Sequence, residues 1–147
     1  MASKLAGFAF WALFLAAGVA GAGAPAQVLG VKLEDSSTDP AIAHMRITLD
    51  QATLAPGRVT FEATNESKAP KREVVVVSDR GTGELPIDTQ HDRVNEHAVR
   101  RLGEIADLAP GKTGKLTLNL GPGTYLLLCN DPGHYKDGAV AKLVIGP

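Results

Sequence analysis

Short segments in which apolar and polar residues alternate follow one another through this chain from Gln27 onward, separated by turns rich in Gly, Pro, Asp and Asn. Alternation with a period of two places every second side chain on one face of a β-strand, so that one face is buried and the other exposed. Four consecutive valines at 74–77 depart from the alternation and are typical of a strand covered on both faces. The predicted strands are residues 28–33, 44–50, 58–65, 73–77, 115–120, 125–129 and 140–145.

One connection, residues 79–108, is much longer than the others and carries many of the charges. Its apolar residues recur at roughly helical spacing, at Val94, Ala98, Leu102 and Ile105. We therefore predict a surface connection with a short helix around residues 96–102. The predicted fold class is all-β, a Greek-key β-sandwich of about seven or eight strands with a short helix in one long connection.

The first 26 residues differ in character from the rest of the chain. Lys4 precedes an apolar run at 5–20, and residues 24–26 are the small residues that a signal peptidase recognises. These features predict a signal peptide at residues 1–26 and one exported domain at residues 27–147, in the periplasm or secreted. An uncleaved membrane anchor is the alternative, because residues 5–24 are nearly long enough to span a bilayer.

The charge balance excludes one class of partner. Charged residues make up 21% of the chain, and the formal net charge is −1. Such a chain has no excess of basic residues with which to neutralise many phosphates. We therefore expect no nucleic acid partner.

The candidate functional site lies in residues 125–139, where a predicted strand ends on Cys129 and a short loop returns His134. Cys129 is the chain's single cysteine, so it forms no internal disulfide; a small buried apolar residue is one alternative role. A thiolate and an imidazole suit copper, and Pro132 and Gly133 would bend the chain so that the two converge. Nucleophilic catalysis is disfavoured because the sequence places no group to orient the histidine, so we predict that the chain is not an enzyme.

This segment resembles the C-terminal ligand loop of the cupredoxins, the group of plastocyanin, azurin and pseudoazurin, whose small bacterial members read Cys-Asn-x-Pro-Gly-His-Tyr-x-x-Gly-Met. The resemblance extends upstream through residues 58–65, the valine strand and residues 102–112. It implies a cupredoxin-like β-sandwich and a monomeric, periplasmic copper-binding protein that transfers electrons. The implied partner is a redox or copper-handling protein, and no membrane is involved unless the N-terminal segment remains uncleaved.

By this resemblance Cys129 and His134 would be two of the copper ligands, whereas the other two ligand positions are altered. Arg72 stands where the family has its first histidine, and Ala139 stands where the axial methionine follows the loop glycine. The axial bond is long and weak, so Ala139 alone would tune the site. The loss of the histidine at Arg72 affects copper binding more, because a guanidinium has no lone pair to offer a metal and its charge repels Cu(II).

Two interpretations of the altered site keep copper. His44, His91 or His97 could substitute for the missing imidazole, although nothing in their spacing distinguishes them from surface residues. Alternatively the site holds only Cu(I), since a thiolate and an imidazole satisfy a soft ion that accepts low coordination.

A third interpretation is a metal-free interaction module. Arg72 would then pair with Cys129 as a thiolate, with Asp131 or with Glu73. The pKa of the thiol would lie below its ordinary value if Arg72 were close, and at or above that value if apolar groups surrounded it. A plainer alternative is that Arg72 is an exposed residue beside Lys71.

Overall fold

The computed structural model describes residues 25–37, 44–68, 71–81 and 83–146. These residues form eleven strands and one short 3₁₀ helix. In chain order the elements are β1 (Gln27–Asp35), β2 (Met45–Leu49), β3 (Thr53–Leu54), β4 (Gly57–Asn65), β5 (Arg72–Asp79), β6 (Ile87–Asp88), β7 (Arg93–Val94), the 3₁₀ helix (Glu96–Ala98), β8 (Arg100–Leu108), β9 (Thr113–Leu120), β10 (Gly123–Leu128) and β11 (Val140–Ile145).

The strands form two main sheets and a separate hairpin. The four-stranded sheet has the order β2-β1-β4-β9, the five-stranded sheet has the order β3-β11-β10-β5-β8, and β6 pairs with β7. Most neighbours are antiparallel, but β1 runs parallel to β4 and β3 runs parallel to β11. The predicted all-β sandwich is confirmed, with eight strands of five or more residues in the described part of the chain.

The alternation noted in the sequence builds the core between the two sheets. Buried side chains of the four-stranded sheet, such as Leu29 and Phe61, pack with Val76 and Leu127 of the five-stranded sheet. The valines of β5 divide between two layers: those at 74 and 76 enter this core, and those at 75 and 77 join a smaller cluster with Val94 of the β6–β7 hairpin. The prediction that this strand is covered on both faces is therefore confirmed.

The helix predicted around residues 96–102 is wrong in extent. Only Glu96–Ala98 is helical, and β8 pairs with β5 from Arg100 onward. The β5–β8 ladder contains two register shifts, which disturb the strict alternation of faces. As a result Leu102, Ile105 and Leu108 all pack in the core at intervals of three residues, a spacing that resembles a helix in the sequence.

The signal-peptide prediction falls almost wholly outside the described residues, of which only Pro25 and Ala26 belong to it. It stays a prediction. Within the part of the chain that the structure describes, no helix is long and apolar enough to cross a bilayer.

Candidate metal centre

Cys129 is held at the end of the sandwich core by the two strands beside it. It directly follows β10, and its backbone N–H donates to the carbonyl of Ala139, 3.1 Å away, at the entrance to β11. Its side chain is fully buried and belongs to the same core cluster as Leu127. Ala139 is also fully buried, and its methyl group offers no ligand atom.

The loop between these strands turns tightly enough to bring a histidine back to the thiol. Gly133 and Gly138 both have positive φ, a conformation that favours glycine. The N–H of Ala139 donates to the carbonyl of His134 at 2.9 Å, which closes the loop. Consequently Nδ1 of His134 lies 3.3 Å from Sγ of Cys129, so the structure brings the two predicted donors together.

Asp131 adds a third donor that sequence reasoning had considered only as a partner for Arg72. Its Oδ2 lies 3.6 Å from Sγ of Cys129 and 3.7 Å from Nδ1 of His134. In the described residues these three side chains are the only group of three or more potential metal ligands whose donor atoms all lie within 4.8 Å of one another. The signal was present in the sequence, because Asp131 stands two residues after Cys129 in the same loop.

The arrangement differs from that of a nucleophilic triad. In a triad the carboxylate binds the ring nitrogen opposite the one that faces the nucleophile. Here Nδ1 of His134 faces both Sγ of Cys129 and the carboxylate of Asp131. The carboxylate therefore does not orient the ring for proton abstraction.

Arg72 is drawn into this cluster and is not a surface residue, so the interpretation as an exposed residue beside Lys71 is wrong. Its position in the alternation of β5 matches that of the inward-facing Val74, and its side chain is only 13% exposed. Nη1 lies 3.8 Å from Oδ2 of Asp131 and donates to the carbonyl of Lys71 at 3.2 Å. Nε is buried and has no hydrogen-bond partner. Of the proposed partners, Asp131 is the one with which Arg72 forms an ion pair.

Burial sets the protonation states of the two donors. Burial raises the pKa of Cys129 to about 11; hydrogen bonding with Glu73 and Asp131 opposes this rise, whereas the negative charges of these two residues add to it. Burial, followed by the charge of Arg72, lowers the pKa of His134. At neutral pH without metal, the cluster therefore holds a protonated thiol and a neutral imidazole.

The raised pKa predicts slow alkylation of Cys129 by iodoacetamide. At pH 8 only about one thiol in a thousand is ionised, and the thiolate is the reactive form. The rate measured on metal-free protein should rise about tenfold per pH unit up to about pH 11. The same reaction in urea provides the control. A rate at pH 8 equal to that of the unfolded chain would contradict the buried thiol.

The three remaining histidines lie outside the cluster. His44 and His91 are exposed and lie near carboxylates instead, those of Asp137 at 4.0 Å and Asp88 at 2.6 Å. His97 is exposed on the 3₁₀ helix. In this structure none of them supplies a second imidazole to Cys129 and His134.

Asn130 ties the ligand loop to the β6–β7 hairpin, a role that sequence reasoning missed. Its buried side chain accepts a hydrogen bond from the N–H of Val94 at 2.7 Å and donates to the carbonyl of Val94 and to Glu96. Its own backbone N–H donates to Glu73 of β5 at 3.1 Å. Hydrogen bonds therefore connect Asn130, the residue that follows Cys129, to the β6–β7 hairpin and to β5.

The donor set decides which copper ion the residues fit. A blue copper centre requires two imidazoles and a thiolate around the metal. The cluster offers one imidazole, one thiolate and the carboxylate of Asp131, with the guanidinium of Arg72 beside them. These residues do not fit a blue Cu(II) centre, but the thiolate and imidazole fit Cu(I), which is soft and accepts few ligands.

Comparisons with known proteins bear on the fold. No protein-family model matches the sequence, and no curated protein matches it. Among solved structures, reduced auracyanin from Roseiflexus castenholzii is similar at a TM-score of 0.55 and 20% identity, covering 85% of this chain and 100% of its own. Rusticyanin from Thiobacillus ferrooxidans is similar at a TM-score of 0.53 and 15% identity, covering 82% of this chain and 79% of its own. An azurin from Methylomonas sp. strain J is similar at a TM-score of 0.55 and 11% identity, covering 84% of this chain and 100% of its own. Auracyanin, rusticyanin and azurin are cupredoxins, and this chain therefore has the cupredoxin fold.

Proposed function

We propose that this chain is an exported, non-enzymatic copper-binding protein that holds one Cu(I) ion between Cys129 and His134 and passes it to a protein partner. The observation that carries the proposal is the 3.3 Å separation of Sγ and Nδ1. A thiol, which loses its proton when it binds a soft metal, and a neutral imidazole already converge, so little chain entropy is lost when a metal binds. Rusticyanin, which shares the fold, is described as a copper protein.

The surroundings of the two donors suit retention followed by transfer. Cys129 is sealed in the core, whereas the His134 side chain is 22% exposed and gives the site one edge toward solvent. Cu(I) would be the cargo of the site, a soft ion that Cys129 and His134 would hold and that could exchange at the solvent-facing edge. Burial and the charge of Arg72 keep the His134 imidazole neutral, which is the form that binds a metal.

Electron transfer is the second candidate, and it is favoured by the reduced forms in which auracyanin and rusticyanin, which share the fold, are described. It requires the site to hold Cu(II) as well as Cu(I). The single imidazole of the cluster argues against a blue Cu(II) centre, so we rank this candidate below Cu(I) binding.

Anaerobic titration of the reduced protein with Cu(I), in competition with a chromogenic chelator, tests the proposal. We expect one equivalent to be retained, and we expect Cys129→Ser and His134→Ala to weaken the affinity by at least about a hundredfold and tenfold, because each removes a donor. His97→Ala, which changes an exposed imidazole outside the cluster, is the matched control.

Two results would overturn the assignment. An intense visible band on addition of Cu(II), dependent on Cys129, would establish a Cu(II)–thiolate site and favour electron transfer. Failure to retain Cu(I) or Cu(II) would leave a metal-free module with the cupredoxin fold.

A further inference from the structure

The guanidinium of Arg72 occupies an unusual place for a fixed positive charge. It stands at the inward-facing start of β5, largely buried, with its Nε unpartnered. One atom, Oδ2 of Asp131, contacts the guanidinium of Arg72, the thiol of Cys129 and the imidazole of His134. A single carboxylate oxygen of Asp131 therefore lies between the positive charge of Arg72 and the two metal donors, Cys129 and His134.

We propose that Arg72 is the specificity-determining residue of this site: its buried charge lets a monovalent soft ion bind at Cys129 and His134 and excludes divalent ions. The inference rests on the proposed function for the accepted ion. Its second half, the exclusion of Zn²⁺ and Cu²⁺, depends only on the geometry of Arg72.

The argument follows from the charge of each bound complex. A thiolate with a monovalent ion is neutral, so the fixed charges around it, those of Arg72, Asp131 and Glu73, interact with it only weakly. A thiolate with a divalent ion carries one positive charge, which the neighbouring guanidinium repels in a partly buried setting. The ion pair with Arg72 also occupies Asp131, the oxygen ligand that a divalent ion would prefer.

The size of the effect can be bounded from Coulomb's law. Two unit charges separated by several ångströms near a protein surface interact strongly enough to change an affinity roughly 30- to 100-fold. Neutralising Arg72 should therefore strengthen Zn²⁺ binding by that factor. Cu(I) affinity should change by less than about fivefold, because the Cu(I) complex is neutral.

The experiment uses Zn²⁺ as the divalent probe, because it does not oxidise the thiol, and Cu(I) as the monovalent probe. Both affinities are measured anaerobically for the full chain and for Arg72→Gln, with urea unfolding to verify that each protein is folded. Arg72→Met, which retains the aliphatic part of the side chain, repeats the measurement with a different neutral group. Arg72→Lys retains the charge and should keep the wild-type preference.

Lys71→Gln is the matched control, because Lys71 is a cation one residue away that is 68% exposed and pairs with Asp107. It should alter neither affinity by more than about twofold. Selective strengthening of Zn²⁺ binding in both neutral variants would support the charge filter. Unchanged Zn²⁺ binding in both, or equal strengthening in Arg72→Lys, would overturn it. If the wild type fails to retain Cu(I), the proposed function falls, and the Zn²⁺ comparison still decides the role of Arg72.

Discussion

Arg72→His is expected to give the protein an intense visible absorption band on addition of one equivalent of Cu(II), a band that we expect the wild type to lack. The substitution removes the guanidinium and supplies a second imidazole at the start of β5, on the inward-facing side of the strand. Two imidazoles and the thiolate of Cys129 are the equatorial donors of a blue copper centre. The measurement is a Cu(II) titration of reduced protein followed by visible absorption and bound-metal stoichiometry.

Two further variants serve as controls for the absorption band of Arg72→His. Arg72→Gln removes the same charge without adding a ligand, so it should give at most a weak band. Arg72→His with Cys129→Ser should give none, because the band arises from the thiolate. Absence of a band in Arg72→His, in a folded protein, would show that the backbone at residue 72 does not present an imidazole to the site.

The single substitution is a cleaner test than restoring a methionine as well. Ala139 is fully buried in the core, and a larger side chain there would have to displace its neighbours. Overpacking of this kind costs about 1–3 kcal/mol. Because the axial bond is weak, adding Ala139→Met to Arg72→His should tune the wavelength of the absorption band and should not determine whether the band forms.

Asn130→Ala should lower the free energy of unfolding by about 2–6 kcal/mol. The substitution removes the hydrogen bonds that Asn130 makes with Val94 and Glu96, and it leaves both backbone polar groups of Val94, which is 1% exposed, without these partners. Each unsatisfied buried group costs about 1–3 kcal/mol. Urea denaturation measures the total, and amide hydrogen exchange at Val94 reports on release of the hairpin.

Asn119→Ala is the matched control, because Asn119 is exposed on β9. Its effect should stay within about 0.5 kcal/mol. If Asn130→Ala were as stable as this control, the hairpin would be held to the ligand loop by the apolar contacts of Val94 alone.

The sequence by itself determined seven of the eight strands of five or more residues, the two-sided burial of β5 and the thiol-to-imidazole loop of this protein. These features are encoded locally: alternation sets the buried face of a strand, and Gly133, with positive φ, allows the turn between Cys129 and His134. Local patterns failed at β8, where register shifts against β5 place core residues at helical intervals.

Tertiary structure decided what surrounds the two donors. Asp131 faces Arg72 because β10 pairs with β5 in one register, in which Leu128 lies opposite Val75. Asn130 meets Val94 across 36 residues of chain for a similar reason, namely the packing of the hairpin on the five-stranded sheet. Pairings of this kind depend on strand register and on the burial of side chains, which no local pattern encodes. The resemblance implies that an arginine stands where the family has a histidine, and only the fold places its charge against Asp131, whose carboxylate contacts the thiol.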